Sequence, residues 1–227
     1  MSGGFGAFGK TPALGDFFHI NAPQGFVRVW DEWLQTTMMT AASAAGDEWD
    51  DQYMSSPIWR FTLAAGLAGP AKVHGVLMPS VDRVGRRFPL SLMATIAGDI
   101  PASFDHFTND DTFEQLEDLA LATLEDDMDR DRLATLLTEI TPPPTLADAP
   151  LRRAGKTLVL SSTQQQGIAP SFATELINGV IAMPSLWSTL VDKDCYAMVC
   201  DGLPDAHQAR ALFDLNAPLW VEARPTS

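Results

Sequence analysis

The residues with the most chemical promise stand at the start of the chain. Gly4-Phe5-Gly6-Ala7-Phe8-Gly9-Lys10-Thr11 satisfies both G-x-x-x-x-G-K-[ST] and G-x-G-x-x-G, patterns whose glycines and lysine cradle nucleotide phosphates. A phosphate loop works because a strand leads into the glycines and a helix leaves them, so that backbone N–H groups and the helix N-terminus converge on the anion. Only Met1 to Gly3 precede the first glycine here, and Gly15 interrupts the sequence before any long apolar-periodic helix begins. The pattern therefore lacks its scaffold. The apolar run Tyr196 to Cys200, closed by Asp201, is the kind of strand that could hold magnesium, and it keeps a nucleotide-binding enzyme as the alternative reading.

Other chemistry is weaker. Asp127, Asp129 and Asp131 imitate the opening of a calcium loop, but the sixth position is Arg132 and the twelfth Thr138, where the loop needs glycine and glutamate. His19, His74, His106 and His207 stand apart from one another, without metal-ligand spacing, and no G-x-S-x-G signature occurs. These absences lead us to expect no cofactor, no metal and no catalytic activity. The segment Pro79 to Leu90 differs, because Arg83, Arg86 and Arg87 put three cations into five residues of an otherwise acidic chain. Guanidinium groups are planar multi-donors suited to carboxylate or phosphate recognition. They read either as contacts to a partner or as internal ties, with Asp82 shaping the turn and an arginine pairing with Asp16 or Asp31.

Elements that could position these residues follow from periodicity. Gly4 to Lys10 alternates glycine with Phe5 and Phe8, which suits a short, closely approached strand or an arm laid on the core. Pro23 fits a first helical turn, and Phe26, Trp30, Trp33, Leu34, Thr37, Met38 and Ala41 recur at helical spacing up to Gly46. Three strand-like runs come next, Ile58 to Ala64, Val73 to Met78 and Phe88 to Ile96, with short connections that favour antiparallel neighbours. Two acidic helices are expected at Asp111 to Glu125 and Asp129 to Ile140, the first opened by an Asp111-x-x-Glu114 capping box. Pro142 to Pro144 stop the second and leave, near 141–150, the one internal boundary in what reads as a single domain over 1–227. Beyond it lie strands at Thr157 to Ser161 and Tyr196 to Cys200 and helices at Ser171 to Ala182 and Pro204 to Leu215, in position to extend the same sheet.

Composition fits an ordered globular fold, with 46% hydrophobic and 19% charged residues. The net charge of −14 repels phosphate backbones and anionic lipid, so neither nucleic acid nor membrane insertion is expected. Between Ser103 and Ile140 twelve acids face only Arg130 and Arg132. Asp126, Asp127 and Asp129 are the densest part of that stretch and the natural place to attract a basic partner. With no long apolar run and no signal-peptide pattern at the N-terminus, the expected location is the cytoplasm. Cys195 and Cys200, five residues apart in one predicted strand, would fall on opposite faces, roughly 16 Å apart, and stay free.

Four ordered blocks carry a family likeness: Phe8 to Phe17, Trp30 to Leu34, Pro57 to Phe61, and Pro79 to Leu90. Together they resemble the TagF family of type VI secretion-associated proteins, with weaker echoes at Pro184 to Trp187 and Asp201 to Pro204. In that resemblance Gly9-Lys10 belongs to a G-K-x-P-x-x-G-D block. The likeness implies a post-translational repressor of secretion assembly, associated with the system's forkhead-associated scaffold protein, and a binding function in place of turnover; a structural component of the secretion apparatus is the further alternative. Some relatives carry a fused phosphatase domain, whose metal-binding acids have no trace here. The fold expected is α/β, a mainly antiparallel sheet packed with helices, similar to a longin or profilin-like core, with a C-terminal α/β extension.

Overall fold

The computed structural model describes residues 4–143, 151–161 and 168–223. Its frame is a seven-stranded, wholly antiparallel sheet built from β1 (Gly6–Gly9), β2 (Phe18–Ile20), β3 (Trp59–Leu63), β4 (Lys72–Met78), β5 (Leu90–Ile96), β8 (Pro184–Val191) and β9 (Asp194–Asp201), in the order β2-β1-β5-β4-β3-β8-β9. A separate two-stranded hairpin joins β6 (Arg152–Ala154) and β7 (Thr157–Val159). The α/β class and antiparallel sheet expected from the sequence are thus present, and the C-terminal half does extend the sheet. It does so through β8 and β9, whereas the expected strand at Thr157 lies in the small hairpin. The expected boundary near 141–150 lies largely outside the described residues, as does Pro144.

One face of the sheet is covered by α1 (Phe26–Ala45), which buries Phe26, Trp30, Leu34, Thr37 and Ala41. That spacing of three and four residues is the inner stripe of an amphipathic helix. The helix opens at Phe26 on Gly25, whose φ of 81° lies in the left-handed region, so Pro23 precedes the helix and only lends its carbonyl to the Phe26 N–H. After a 3-10 turn, α2 (Trp49–Met54) brings Tyr53 into the same layer, and α7 (Ala206–Arg210) and α8 (Pro218–Glu222) complete it. Trp30, Trp59 and Trp187 are each buried to within 1% of full enclosure. Burying a large apolar side chain contributes about 1.5–3 kcal/mol.

The opposite face carries α3 (Ala102–Thr108), α4 (Asp110–Ala122), α5 (Arg130–Glu139) and α6 (Ile168–Asn178). Here Val76, Met78, Leu90 and Leu92 of the sheet meet Phe113, Leu116 and Leu119 of α4 and Leu133 and Leu137 of α5. Two expectations change. α3 was not anticipated, and the helix after it begins one residue before Asp111, with Asn109 as its N-cap and no side-chain cap bond, so the Asp111–Glu114 capping box does not form. The box is realised instead at α7, between Asp205 and Gln208.

Candidate functional site

Two of the four sequence blocks, Phe8 to Phe17 and Pro79 to Leu90, meet at one corner of the sheet, while Trp30 and Phe61 of the other two pack together in the core under α1. β1 runs into the loop 10–17, β4 and β5 are joined by the loop 79–89, and Asp82 binds the two loops together. Its Oδ2 accepts from Lys10 Nζ at 3.0 Å and Arg86 Nε at 2.6 Å. Oδ1 accepts from the backbone N–H groups of Val84, at 3.1 Å, and Arg86, at 2.9 Å. The second pair is the turn-shaping role expected of Asp82. Its side chain is fully enclosed and Lys10 is 5% exposed. Burial pushes the Asp82 carboxyl up, but the four donors outweigh it and hold it well below the usual carboxylate range.

Each arginine of the loop has an internal partner. Arg83 Nη2 donates to the Ala13 carbonyl at 2.6 Å, and Arg86 Nη2 donates to that of Gly15 at 3.1 Å and lies 3.6 Å from Asp16. Arg87 Nη2 pairs with Asp50 of α2. Asp16 is thus engaged as the tie reading anticipated, while Asp31 accepts from Gln35 on its own helix. Tyr53 bridges α2 to the loop: its hydroxyl donates to the Ser80 carbonyl at 2.7 Å and accepts from the Ser80 N–H. What the corner turns outward is Phe17, 51% exposed, Val84, 74% exposed, and the half-exposed Arg86. Phe17 packs edge-on against Phe88, 4.5 Å between centroids, and lies under Lys10 Nζ. Charge-led reading of the sequence passed over Phe17 and Val84; large apolar residues inside polar, glycine-bearing loops were the available signal.

This geometry accounts for the phosphate-loop pattern. Gly6 and Gly9 lie inside an antiparallel strand, not at a strand-to-helix turn, and a β-carbon on them would meet the Asn21 carbonyl oxygen at 2.4 Å or that of Pro89 at 2.2 Å. Glycine is required there for close backbone approach. Lys10 is committed to Asp82, and the chain continues from it to β2 instead of to a helix N-terminus.

The acidic candidates sit elsewhere, in the connection from α4 to α5. Asp129 caps α5 by accepting from the Arg132 N–H, Asp127 pairs with the Arg132 guanidinium, and Asp126 is exposed. None of their described partners belongs to the arginine loop. Two of the three calcium-loop acids, Asp129 and Asp127, therefore serve a helix cap and an ion pair.

A second polar cluster lies under α3. Lys72 bonds Asp105 and the Ile100 carbonyl. Thr62 Oγ1 and Ser188 Oγ each lie 2.9 Å from a ring nitrogen of His106. The serine–histidine spacing is that of a nucleophile and base, but the third partner is a hydroxyl and burial holds the imidazole down to about 3. It ties α3 across β3 and β8. Arg60 adds a two-pronged bond to Glu117 of α4.

The sequence model for the TagF N-terminal domain, type VI secretion system-associated, matches residues 6–140. The chain belongs to the TagF family. That span includes the whole Lys10–Asp82 corner and associates the chain with type VI secretion. The crystal structure of PA0076 from Pseudomonas aeruginosa PAO1 is similar to it at 29% identity, over 98% of both chains, with a TM-score of 0.79. The likeness to that structure therefore continues past residue 140 into the strands that complete the TagF sheet. No curated protein matches the chain. Among the described residues no helix is long and apolar enough to cross a membrane.

Proposed function

We propose that the chain is a non-catalytic, post-translational repressor of type VI secretion that acts in the cytoplasm by binding a protein, the forkhead-associated scaffold. The observation that carries this reading is the corner itself. Lys10, Arg83 and Arg86 are spent on tying two loops together, and the tied loops present Phe17, Val84 and the outer edge of Arg86 to solvent. A pre-organised apolar patch with a cationic rim is a surface for protein recognition, since little ordering cost remains to be met on binding. The acids Asp126, Asp127 and Asp129 supply long-range attraction for a basic region of the same partner.

The test is a binding isotherm between the full chain and the purified scaffold protein. Val84→Asp puts a carboxylate where a 74% exposed apolar side chain now projects, and keeps the backbone N–H that bonds Asp82. We expect affinity to fall at least about tenfold, on the order of 1.4 kcal/mol, with the melting temperature unchanged. Unaltered affinity would remove the corner from the interface, and no binding by the wild-type chain would sink the reading itself.

A further inference from the structure

The two edges of the sheet are not alike. β2 ends it on one side with only three residues, and the carbonyl of its central residue, His19, accepts a bond from Arg130 of α5 at 3.1 Å. β9 ends it on the other side with eight residues, Asp194-Cys195-Tyr196-Ala197-Met198-Val199-Cys200-Asp201, and among the described residues no strand pairs with its outer edge. Edge strands are ordinarily blunted by brevity, proline, an inward lysine or a bulge. β2 has brevity and a capped carbonyl; β9 has an unbroken register with β8 from Val191↔Asp194 to Pro184↔Asp201 and none of those devices.

The register also says which groups are free. Gly202 donates its N–H to the Met183 carbonyl, so the even-numbered residues of β9 are those that bond to β8, as the alternation of an antiparallel ladder requires. Cys195, Ala197 and Val199 then direct their N–H and C=O groups outward. Cys195 and Ala197 are exposed, as is Leu190, which stands opposite Cys195 on the same sheet face. The middle of the edge carries no charge, while Asp192 and Asp194 stand at one end and Asp201 at the other, with Lys193 the one cation among them.

We infer that the outer edge of β9 is a docking site for an extended segment of a partner protein, apolar in its middle and basic at its ends, added as an eighth strand. Strand addition draws affinity from main-chain bonds and selectivity from alternate side chains, and the acidic ends select basic flanks. A second copy of this chain is the poorer occupant, because each copy brings a charge of −14 to the encounter. The inference rests on the proposed binding function and adds a second contact to it, remote from the Lys10–Asp82 corner.

Hydrogen–deuterium exchange on the full chain, alone and saturated with the purified forkhead-associated scaffold protein, tests it alongside the binding isotherm. The amides of Cys195, Ala197 and Val199 should exchange at least about tenfold more slowly in the complex. Ala197→Pro removes the central outward donor and leaves the β8 ladder intact, so affinity should fall about tenfold or more; Ala197→Thr, which keeps the donor, should bind as wild type. If Ala197→Pro lowers the melting temperature, the exchange measurement on wild-type protein decides alone. Scaffold binding with unchanged exchange over 194–201 overturns the edge assignment and leaves the regulator reading intact, whereas no scaffold binding overturns both. A wild-type chain that sediments as a dimer, and a monomer after Ala197→Pro, puts a second copy on the edge and also overturns the assignment.

Discussion

His74 lies in the apolar layer between the sheet and α4, its ring beside Phe5 and Phe113, and among the described residues neither ring nitrogen has a hydrogen-bond partner. Burial, with a smaller contribution from the Lys72 charge, brings its pKa down to about 4. His106 is lowered to about 3, again by burial first. Both histidines fold neutral and charge in the unfolded chain near pH 6.5, so the stability they contribute is complete above that value and is lost as pH falls toward 4 and 3. Asp82 adds a loss of the same sign below about pH 4, since its folded value is also depressed. Each histidine can cost up to about 1.4 kcal/mol per pH unit across its window. His74→Leu should therefore show a smaller drop in melting temperature between pH 7 and pH 5 than the wild-type chain; equal drops would mean that His74 is hydrated or charged in the fold. At this scale the sequence was legible in part. That Gly4 to Thr11 lacked a phosphate-loop scaffold could be read locally, but the reason Lys10 is present could not, because its partner Asp82 is 72 residues away and no local spacing marks such a pair.

Helix α1 joins the early and late parts of the chain through its tryptophans. Trp30 donates to Ser91 Oγ at 2.8 Å, packs at a tilt against Phe61 and stacks with Trp187, while Trp33 donates to the Pro204 carbonyl at 2.8 Å. Trp30→Ala should cost about 3–5 kcal/mol, a large part of what holds a domain together. Trp33→Phe keeps the ring packing and loses one bond to a carbonyl, and should cost about 1 kcal/mol. Urea titrations that ranked the two equally would mean the layer relaxes around Trp30. Elements such as α1, β3, β4 and β5 were readable because their apolar residues recur at helical spacing or form unbroken runs. α3 and β8 were not, and for a common reason: each buries polar residues where a pattern needs apolar ones. α3 turns Ser103, Asp105 and His106 inward. β8 encloses Ser185 and Thr189, satisfied by the carbonyls of Gly202 and Ile58. Hydrophobic periodicity cannot register a core position whose polarity is balanced by a distant partner.

The whole molecule closes only when the C-terminal strands are in place. β8 covers the open edge of β3, Trp187 fills the space against Trp30 and Phe61, and Trp59 donates to the Leu212 carbonyl and stacks on Trp220. A chain ending at residue 143, only a little beyond the family match, should consequently lack a cooperative urea transition and associate through the bared β3 edge. A monomeric, cooperatively unfolding fragment would show that the later strands are dispensable. The four blocks were legible as an ordered likeness, but the meeting of Phe8 to Phe17 with Pro79 to Leu90 was not, nor was the unguarded β9 edge, since strand order is a property of the assembled sheet. The placement of the tryptophans has an optical consequence. All six lie in or against the layer on the α1 side, and the layer of α4 and α5 has none. Intrinsic emission therefore reports the seam between the early and late segments and is blind to α4 and α5. Loosening of the acidic helices would be dark to fluorescence and visible to far-ultraviolet circular dichroism, so a gap between the two melting curves would identify which face of the sheet lets go first.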